Sequence, residues 1–473
     1  MSANARASTL LFPPLVKAQG VAFYRNAAVW SLRALLAVVI FAWFAVTPAN
    51  APRLAMALAL GGRVMHAHEF GLGWLSAAIV RTIGDASGLG GIAALSGASV
   101  VLTLALVEFR ARRRAGYVLS LFAGIVAAFG YLDVLHIGAG ATGWVCAAAL
   151  LLLIDRARGA SLVAGVTMVS IAWCNLAPQG IFAPLLIGLV AIGRTVDRGS
   201  FQPEARAEWL ALAGASLALL CTPAGIGFAP MAALAAHLHE GLDDVIPLAP
   251  YLTAPQAYYA LFLAVVVAGA ALGIARRTED RLLVAAGLVL CFSDGSTAPL
   301  LGIIAAPILV GTLVEKAPAM FAEPPARARL TDGLIAALTL AVALTIAAAI
   351  HPRPEQTLAA DTPYALLQRY AVSSEQPRRV LCSVVAWCDY AVALPRLRAL
   401  MDDRIELTDG ATRKAQHDVT RVQKGWKQQL ARHRIDAVLT HRSDALAALL
   451  VLDSHWTAFD ARGGSVLFER ETR

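Results

Sequence analysis

Two four-residue stretches carry the side chains best suited to proton transfer or metal binding: His66-Ala67-His68-Glu69 and His237-Leu238-His239-Glu240. Imidazole titrates near neutral pH and a carboxylate accepts protons readily. Both are also ligands for a divalent cation. On a helix, His66 and Glu69 would share one face, as would His237 and Glu240. Two such faces over one cavity would supply a base, Glu69 or Glu240, and a histidine set, His66, His68, His237 and His239, able to hold a divalent metal. The plainer reading of the same tetrads is interfacial polar residues bonded to loop backbone. Asp85, the other acid of the first loop, is a third catalytic candidate, while Asp243 and Asp244 follow the second tetrad and either join the site or are simply solvated.

A second group sits at the ends of apolar runs. Asp133 and Asn175 fall there, and ionisable groups close to a bilayer are costly and often mark a functional cavity. Trp173, Asn175 and Gln179 bracket a very short turn. With Asp243 and Asp244, these four are the candidate substrate-binding residues. The alternatives are a hydrated Asp133 at headgroup depth and a Trp173 that only anchors the interface.

The elements that must position these groups are membrane spans. The 473 residues are 58% hydrophobic and 15% charged, against about 25% charged in a soluble domain. Runs long enough to cross a bilayer begin near Val29, Gly91, Tyr117, Ala139, Ser161, Ile181, Trp209, Gln256, Leu282, Pro299 and Leu334. The expected fold class is thus a polytopic α-helical membrane protein of about eleven transmembrane helices, with helices because lipid offers backbone groups no water. The divisions are a cytoplasmic segment 1–28, a multi-span domain 29–351 with long outer loops near 47–90 and 222–255, and a small α/β extracytoplasmic domain 352–473. Leu35 to Val46 followed by Ala49-Asn50-Ala51 mimics a cleavable signal peptide, but Pro52 would suit the peptidase poorly, so this segment reads as an uncleaved first span.

Orientation follows from the connectors. Arg110, Arg112, Arg113 and Arg114, then Arg156 and Arg158, then Arg194, Arg198 and Arg206, then Arg276, Arg277 and Arg281, then Lys316, Arg327 and Arg329 occupy every second one. Such connectors stay in the cytoplasm. The histidine-bearing loops and the terminal domain therefore face the periplasm of a bacterial inner membrane. The same rule explains the net charge of +8 without nucleic acid as a partner. The stretch Phe70 to Ile83 is amphipathic and would roof a cavity at the outer surface.

In the terminal domain, Arg379 to Val385 and Asp436 to Thr440 read as strands, and Ala411 to Arg434 and Ser443 to Asp453 as helices. Trp456 to Asp460 and Ser465 to Glu469 form a hairpin around Gly463-Gly464. If Cys382 lies in a strand and Cys388 just past its end, a disulfide needs a sharp reversal, so two buried thiols are expected. Gly138, Gly140 and Gly143 have the dinucleotide-loop spacing but open a membrane span, which excludes that function. There is no P-loop, HExxH or CxxC pair.

The layout resembles the C-type (GT-C) integral-membrane glycosyltransferases, and a group of bacterial membrane proteins related to them. Trp173-Cys174-Asn175-Leu176 with Gly180 is similar to that group's Trp-x-Asn-Leu-His-Gly run. Thr222-Pro223-Ala224-Gly225 is similar to its Asn-Pro-x-Gly, and Met401-Asp402-Asp403-Arg404 to its Asp-Gly-Arg. One departure is Ala177 where the group has histidine. The resemblance implies sugar transfer from a polyprenyl-phosphate donor to an envelope glycan or protein acceptor, with an acidic residue of the first outer loop, Glu69 by preference, as base or cation ligand. It leaves open a non-catalytic component of envelope polysaccharide assembly, and a transporter of lipid-linked glycan.

Overall fold

The computed structural model describes residues 32–39, 73–131, 139–199, 203–223, 266, 269, 275, 277–293, 297–316, 363–373, 375–392, 394–401, 408, 410–462 and 464–471. A helix at 32–39 (α1) precedes α2 (Trp74–Ala111), α3 (Tyr117–Phe129), α4 (Ala139–Arg156), α5 (Gly159–Leu176), α6 (Phe182–Arg198), α7 (Pro203–Ala218), α8 (Thr278–Ser293) and α9 (Ala298–Lys316). Among the described residues, four helical stretches are long and apolar enough to cross a membrane: Gly90–Ala111, Gly159–Leu176, Pro178–Arg198 and Ala298–Lys316. The chain is a membrane protein. The run expected near Leu334 lies outside the described residues, as do most of those near Gln256 and Val29.

α2 packs against α3 and α4, α5 against α4 and α7, α6 against α7 and α8, and α9 against α2, α3, α4 and α8. Nearly every residue of α9 from Ala298 to Thr312 is buried, as expected of a helix that is apolar all round. From Trp74 on, the amphipathic stretch of the first loop is helical and meets the following span at a kink. In α2, Gly88 alone leaves helical geometry (φ 64°, ψ −160°), a left-handed backbone that glycine adopts without steric cost. The part before it is thereby bent off the span Gly90–Ala111.

One end of the bundle is tied by ion pairs. Arg110 Nε donates to Asp155 at 2.8 Å, and Arg114 grips Asp280 through two bonds of 2.8 and 3.1 Å. Arg194 bridges Glu208 at 3.0 Å, Asp155 at 3.9 Å and Glu279. Arg198 also reaches Glu208, at 3.3 Å. Arginines that topology alone accounts for in the sequence thus have a second role: they cross-link α2, α4, α6, α7 and α8. Gly193 sets part of this geometry. A Cβ there would lie 2.4 Å from the backbone N and Cα of Glu279, so only glycine lets α6 meet the start of α8, with Arg194 next to it.

The terminal unit contains α10 (Pro363–Val372), β1 (Arg378–Cys382), α11 (Val385–Val392), β2 (Leu397–Ala399), α12 (Gly410–Thr420), α13 (Trp426–Arg432), β3 (Ala437–His441), α14 (Ala445–Val451), β4 (Trp456–Arg462) and β5 (Ser465–Arg470). Its sheet has the order β2-β1-β3-β5-β4. β1 runs parallel to β2 and β3, whereas β5 is antiparallel to β3 and β4. One apolar cluster, with Leu366, Tyr370, Val380 and Leu439, fills one face, and another, with Leu381, Val438, Leu446 and Phe468, fills the other. Alternate residues of β1 and β3 therefore feed opposite cores, the two-residue period of a doubly covered strand.

Three sequence expectations fail here for identifiable reasons. The single helix expected from Ala411 to Arg434 is two, because Val422 (φ 52°) and Gly425 (φ 93°) turn the backbone left-handed between them. The strand expected to reach Val385 ends at Cys382, and Val385 begins a helix. Ser383 makes the turn: its N–H donates to Leu439 O at 2.8 Å and its hydroxyl to Asp444 at 2.8 Å. That reversal places the Cα atoms of Cys382 and Cys388 5.5 Å apart, and the two are joined by a disulfide rather than left as buried thiols. Replacing both with serine is expected to destabilise the unit by about 2 kcal/mol, the loop-closure entropy for so short a ring. Thermal unfolding checks this. Thiol alkylation of the denatured, unreduced protein should leave both cysteines unlabelled.

Candidate functional site

The opposite end of the bundle is built around Asn175. The helix α5 starts beside Arg158 at the ion-paired end and runs 18 residues to Leu176, about 27 Å. Its last turn carries Trp173 and Asn175, both buried. Ala177 is extended (φ −156°, ψ 146°), and one 3₁₀ turn, Pro178–Ile181, leads into α6. Gly180 permits this hairpin: a Cβ would fall 2.5 Å from the backbone N and Cα of Cys174.

Asn175 joins three segments. Its Oδ1 accepts from Trp74 Nε1 at 2.7 Å, at the start of α2. Its Nδ2 donates to Ile171 O at 2.8 Å within α5 and to Cys221 O at 3.0 Å. Cys221 immediately precedes Thr222-Pro223, so the side chain ties the first degenerate motif to the second. Gly73 closes the arrangement from the other side. It is left-handed (φ 75°), and a Cβ there would stand 3.2 Å from Pro178 Cδ and 3.4 Å from Ala177 Cα. Nearby, Ser76 and Thr142 share a hydrogen bond of 3.2 Å between α2 and α4.

Among the described residues, two buried polar atoms here have no hydrogen-bond partner, Trp173 Nε1 and Gln179 Oε1. Unsatisfied buried polar atoms are uncommon and costly. Trp173 is fully buried. It packs on Gly143, where a Cβ would lie 3.2 Å from its indole nitrogen. It is part of the core rather than an interfacial anchor.

Asn175 is expected to be the least replaceable side chain at this end. Asn175→Leu removes the bonds to Trp74 Nε1, Ile171 O and Cys221 O, worth about 0.5–1.5 kcal/mol each. A fall in the unfolding temperature of purified protein, larger than for Gln179→Leu, checks this.

Of the candidate residues, Trp173, Asn175 and Gln179 are brought together. Asp85 is not part of this cluster. It sits on the exposed face of α2, paired with Arg81 at 2.8 Å and one turn away from it, with 56% of its side chain accessible. Glu69, Glu240, Asp133, Asp243, Asp244, His66, His68, His237 and His239 lie outside the described residues. Among the described residues, no three His, Cys, Asp or Glu side chains form a group able to hold a metal. Sequence reasoning missed Trp74, Ser76, Thr142 and Cys221. Trp74 alone had a signal, as a polar-edged aromatic inside the amphipathic stretch of the first loop.

No protein-family model matches the chain, and no curated protein sequence matches it. Among solved structures, it is similar to ArnT from Cupriavidus metallidurans in the apo state, at TM-score 0.48 and 15% identity, over 93% of this chain and 98% of that one. It is also similar to ArnT from the same organism bound to undecaprenyl phosphate, at TM-score 0.46 and 14% identity, over 93% of this chain and 97% of that one.

Proposed function

We propose that this chain is a GT-C-like membrane glycosyltransferase that moves a sugar from a polyprenyl-phosphate donor to an acceptor outside the cytoplasm. The observation that carries the reading is the Asn175 node. It gathers Trp74, the Trp-Cys-Asn-Leu turn and the segment leading into Thr222-Pro223 at the helix ends remote from the arginine network. The two acidic tetrads flank this node in the chain: Glu69 precedes Gly73 by four residues, and His237 to Glu240 follow Pro223.

In this reading the acceptor hydroxyl attacks the anomeric carbon of the donor sugar. The new bond forms from acceptor oxygen to that carbon as the bond to phosphate oxygen breaks. Polyprenyl phosphate leaves with the electron pair, and the hydroxyl proton passes to a carboxylate, Glu69 with Glu240 in support. His66, His68, His237 and His239 are the residues that would hold a divalent cation, which would offset negative charge developing on the phosphate. Asp133, Asp243 and Asp244 would contact the sugar or the acceptor. The orientation supports this division. Arginine-rich ends belong in the cytoplasm, and a disulfide in the terminal unit suits an oxidising compartment. Residues 352–473 are then periplasmic, and about eleven spans separate them from a cytoplasmic start.

A non-catalytic role in envelope polysaccharide assembly is favoured by one observation. Ala177 replaces the histidine of the related group, and it is fully buried where a Cβ on Gly143 would come within 2.4 Å of its own. A histidine would not fit there. Deleting the protein tests both readings. The enzyme predicts accumulation of lipid-linked sugar donor and a glycan lacking one residue, restored by the intact chain. Unchanged lipid-linked sugars together with disordered glycan export would instead support the assembly role.

A further inference from the structure

At the ion-paired end of the bundle lies a shallow cavity of about 270 Å³, largely open to solvent and lined by Arg158, Arg194, Asp197, Arg198, Arg277 and Glu279. We propose that it is a binding site for a phosphate group, carried either by an anionic phospholipid headgroup or by a soluble phosphate compound. The proposal is independent of the sugar-transfer reading, whose residues lie at the other end of α5.

The charge balance of the lining carries the argument. Four guanidinium groups face two carboxylates, and both carboxylates are already engaged. Asp197 accepts from the backbone N–H of Thr278 at 2.9 Å and from its hydroxyl. Glu279 accepts from Arg194, and from Arg277 at 3.5 Å. Glu208 reaches Arg194 and Arg198 from behind the lining. Asp155, 3.9 Å from Arg194, is shared with Arg110 at 2.8 Å, so these three outer carboxylate contacts all fall on Arg194 and Arg198 and none reaches Arg158.

The excess sits on Arg158 and Arg277. Among the described residues Arg158 has no carboxylate partner. Its Nη1 donates to the carbonyls of Ile154 and Ala157, at 3.3 and 2.9 Å, which fixes the guanidinium over the end of α4. Arg277 stands across the cavity with 66% of its side chain exposed, and 3.5 Å is its closest approach to a carboxylate. A planar guanidinium presents paired donors that match phosphate oxygens. The amino-terminal end of α5, which begins at Gly159 with no side-chain cap, adds a favourable dipole beside Arg158. The volume is near the lower bound of about 300 Å³ for ligand pockets, enough for a headgroup and not for a large cofactor. The cavity is at the end of the helices, where headgroups lie.

The test uses the full chain in detergent, with binding read by native mass spectrometry and by thermal shift. Phosphatidylglycerol, phosphatidylcholine and inorganic phosphate are the probes. Wild-type protein is expected to bind phosphatidylglycerol or inorganic phosphate in preference to phosphatidylcholine. R158Q/R277Q is expected to lower that affinity by at least about tenfold, the loss of charge-assisted bonds. R206Q, at an exposed arginine outside the cavity, should leave it unchanged. If the double variant does not fold, R158Q alone gives the same readout. Phosphatidylglycerol binding without phosphate binding assigns a lipid ligand, and the converse assigns a soluble one. Binding of neither probe, equal binding of phosphatidylcholine, or an unchanged affinity in folded R158Q or R158Q/R277Q overturns the proposal.

Discussion

Glu69→Gln is expected to lower the yield of transferred sugar by at least about 100-fold with the protein level unchanged, because a positioned general base contributes about 10²- to 10⁴-fold. The substitution keeps the size and hydrogen-bonding reach of the side chain and removes only its basicity. Glu240→Gln should act in the same direction, more weakly if it supports the base rather than being it. Asp85 is the internal control. It is solvent-accessible and paired with Arg81, so Asp85→Asn removes an exposed helical ion pair worth about 0.3–0.5 kcal/mol and should leave product nearly unchanged. The measurement is transfer from a polyprenyl-phosphate donor by purified protein, alongside the glycan profile of a complemented deletion strain. Full activity in both Glu69→Gln and Glu240→Gln would remove the proposed mechanism.

The largest stability effect is expected at Arg194. Its side chain is 11% accessible and serves Glu208, Glu279 and Asp155, which are 6%, 7% and 16% accessible. Arg194→Met removes the shared cation and leaves Glu208 and Glu279 to weaker partners, Arg198 at 3.3 Å and Arg277 at 3.5 Å, while Asp155 keeps its main partner Arg110 at 2.8 Å. Breaking a buried pair by deleting one member costs about 3–5 kcal/mol, since the remaining charge is stranded away from water. Arg194→Lys should be intermediate, as one ammonium cannot present the fork that reaches three acceptors. Adding Glu279→Gln to Arg194→Met should recover part of the loss. Arg206 is exposed, so Arg206→Ala should shift stability by less than about 0.5 kcal/mol. Thermal unfolding in detergent ranks the variants, and Arg194→Met unfolding together with Arg206→Ala would show that the network contributes nothing.

The sequence by itself determined the membrane class. Charge deficit and hydropathy depend only on composition along the chain, and lipid imposes one answer on long apolar runs. It also located the basic helix ends, because positive charge is read by the membrane locally and needs no tertiary partner. Asn175 was legible too, as a polar residue with no local reason to sit at the end of an apolar helix. Local patterning likewise gave the β4–β5 hairpin, whose turn ends at the left-handed Gly464 (φ 84°). What Asn175 bonds to was not legible. Trp74 and Cys221 are 101 and 46 residues away from it, and nothing in local spacing encodes such pairings. Asp155, Glu208, Glu279 and Asp280 passed unremarked for the same reason: an isolated acid in a connector looks solvated until the fold sets an arginine beside it. The disulfide shows this most directly. Val384-Val385 prolongs a strand by propensity, yet contacts of Ser383 with Leu439 and Asp444, more than 50 residues on, turn the chain and bring Cys388 back to Cys382. Periodicity and charge are local properties that a chain displays openly, whereas the pairing of distant polar groups is decided only when packing removes their water.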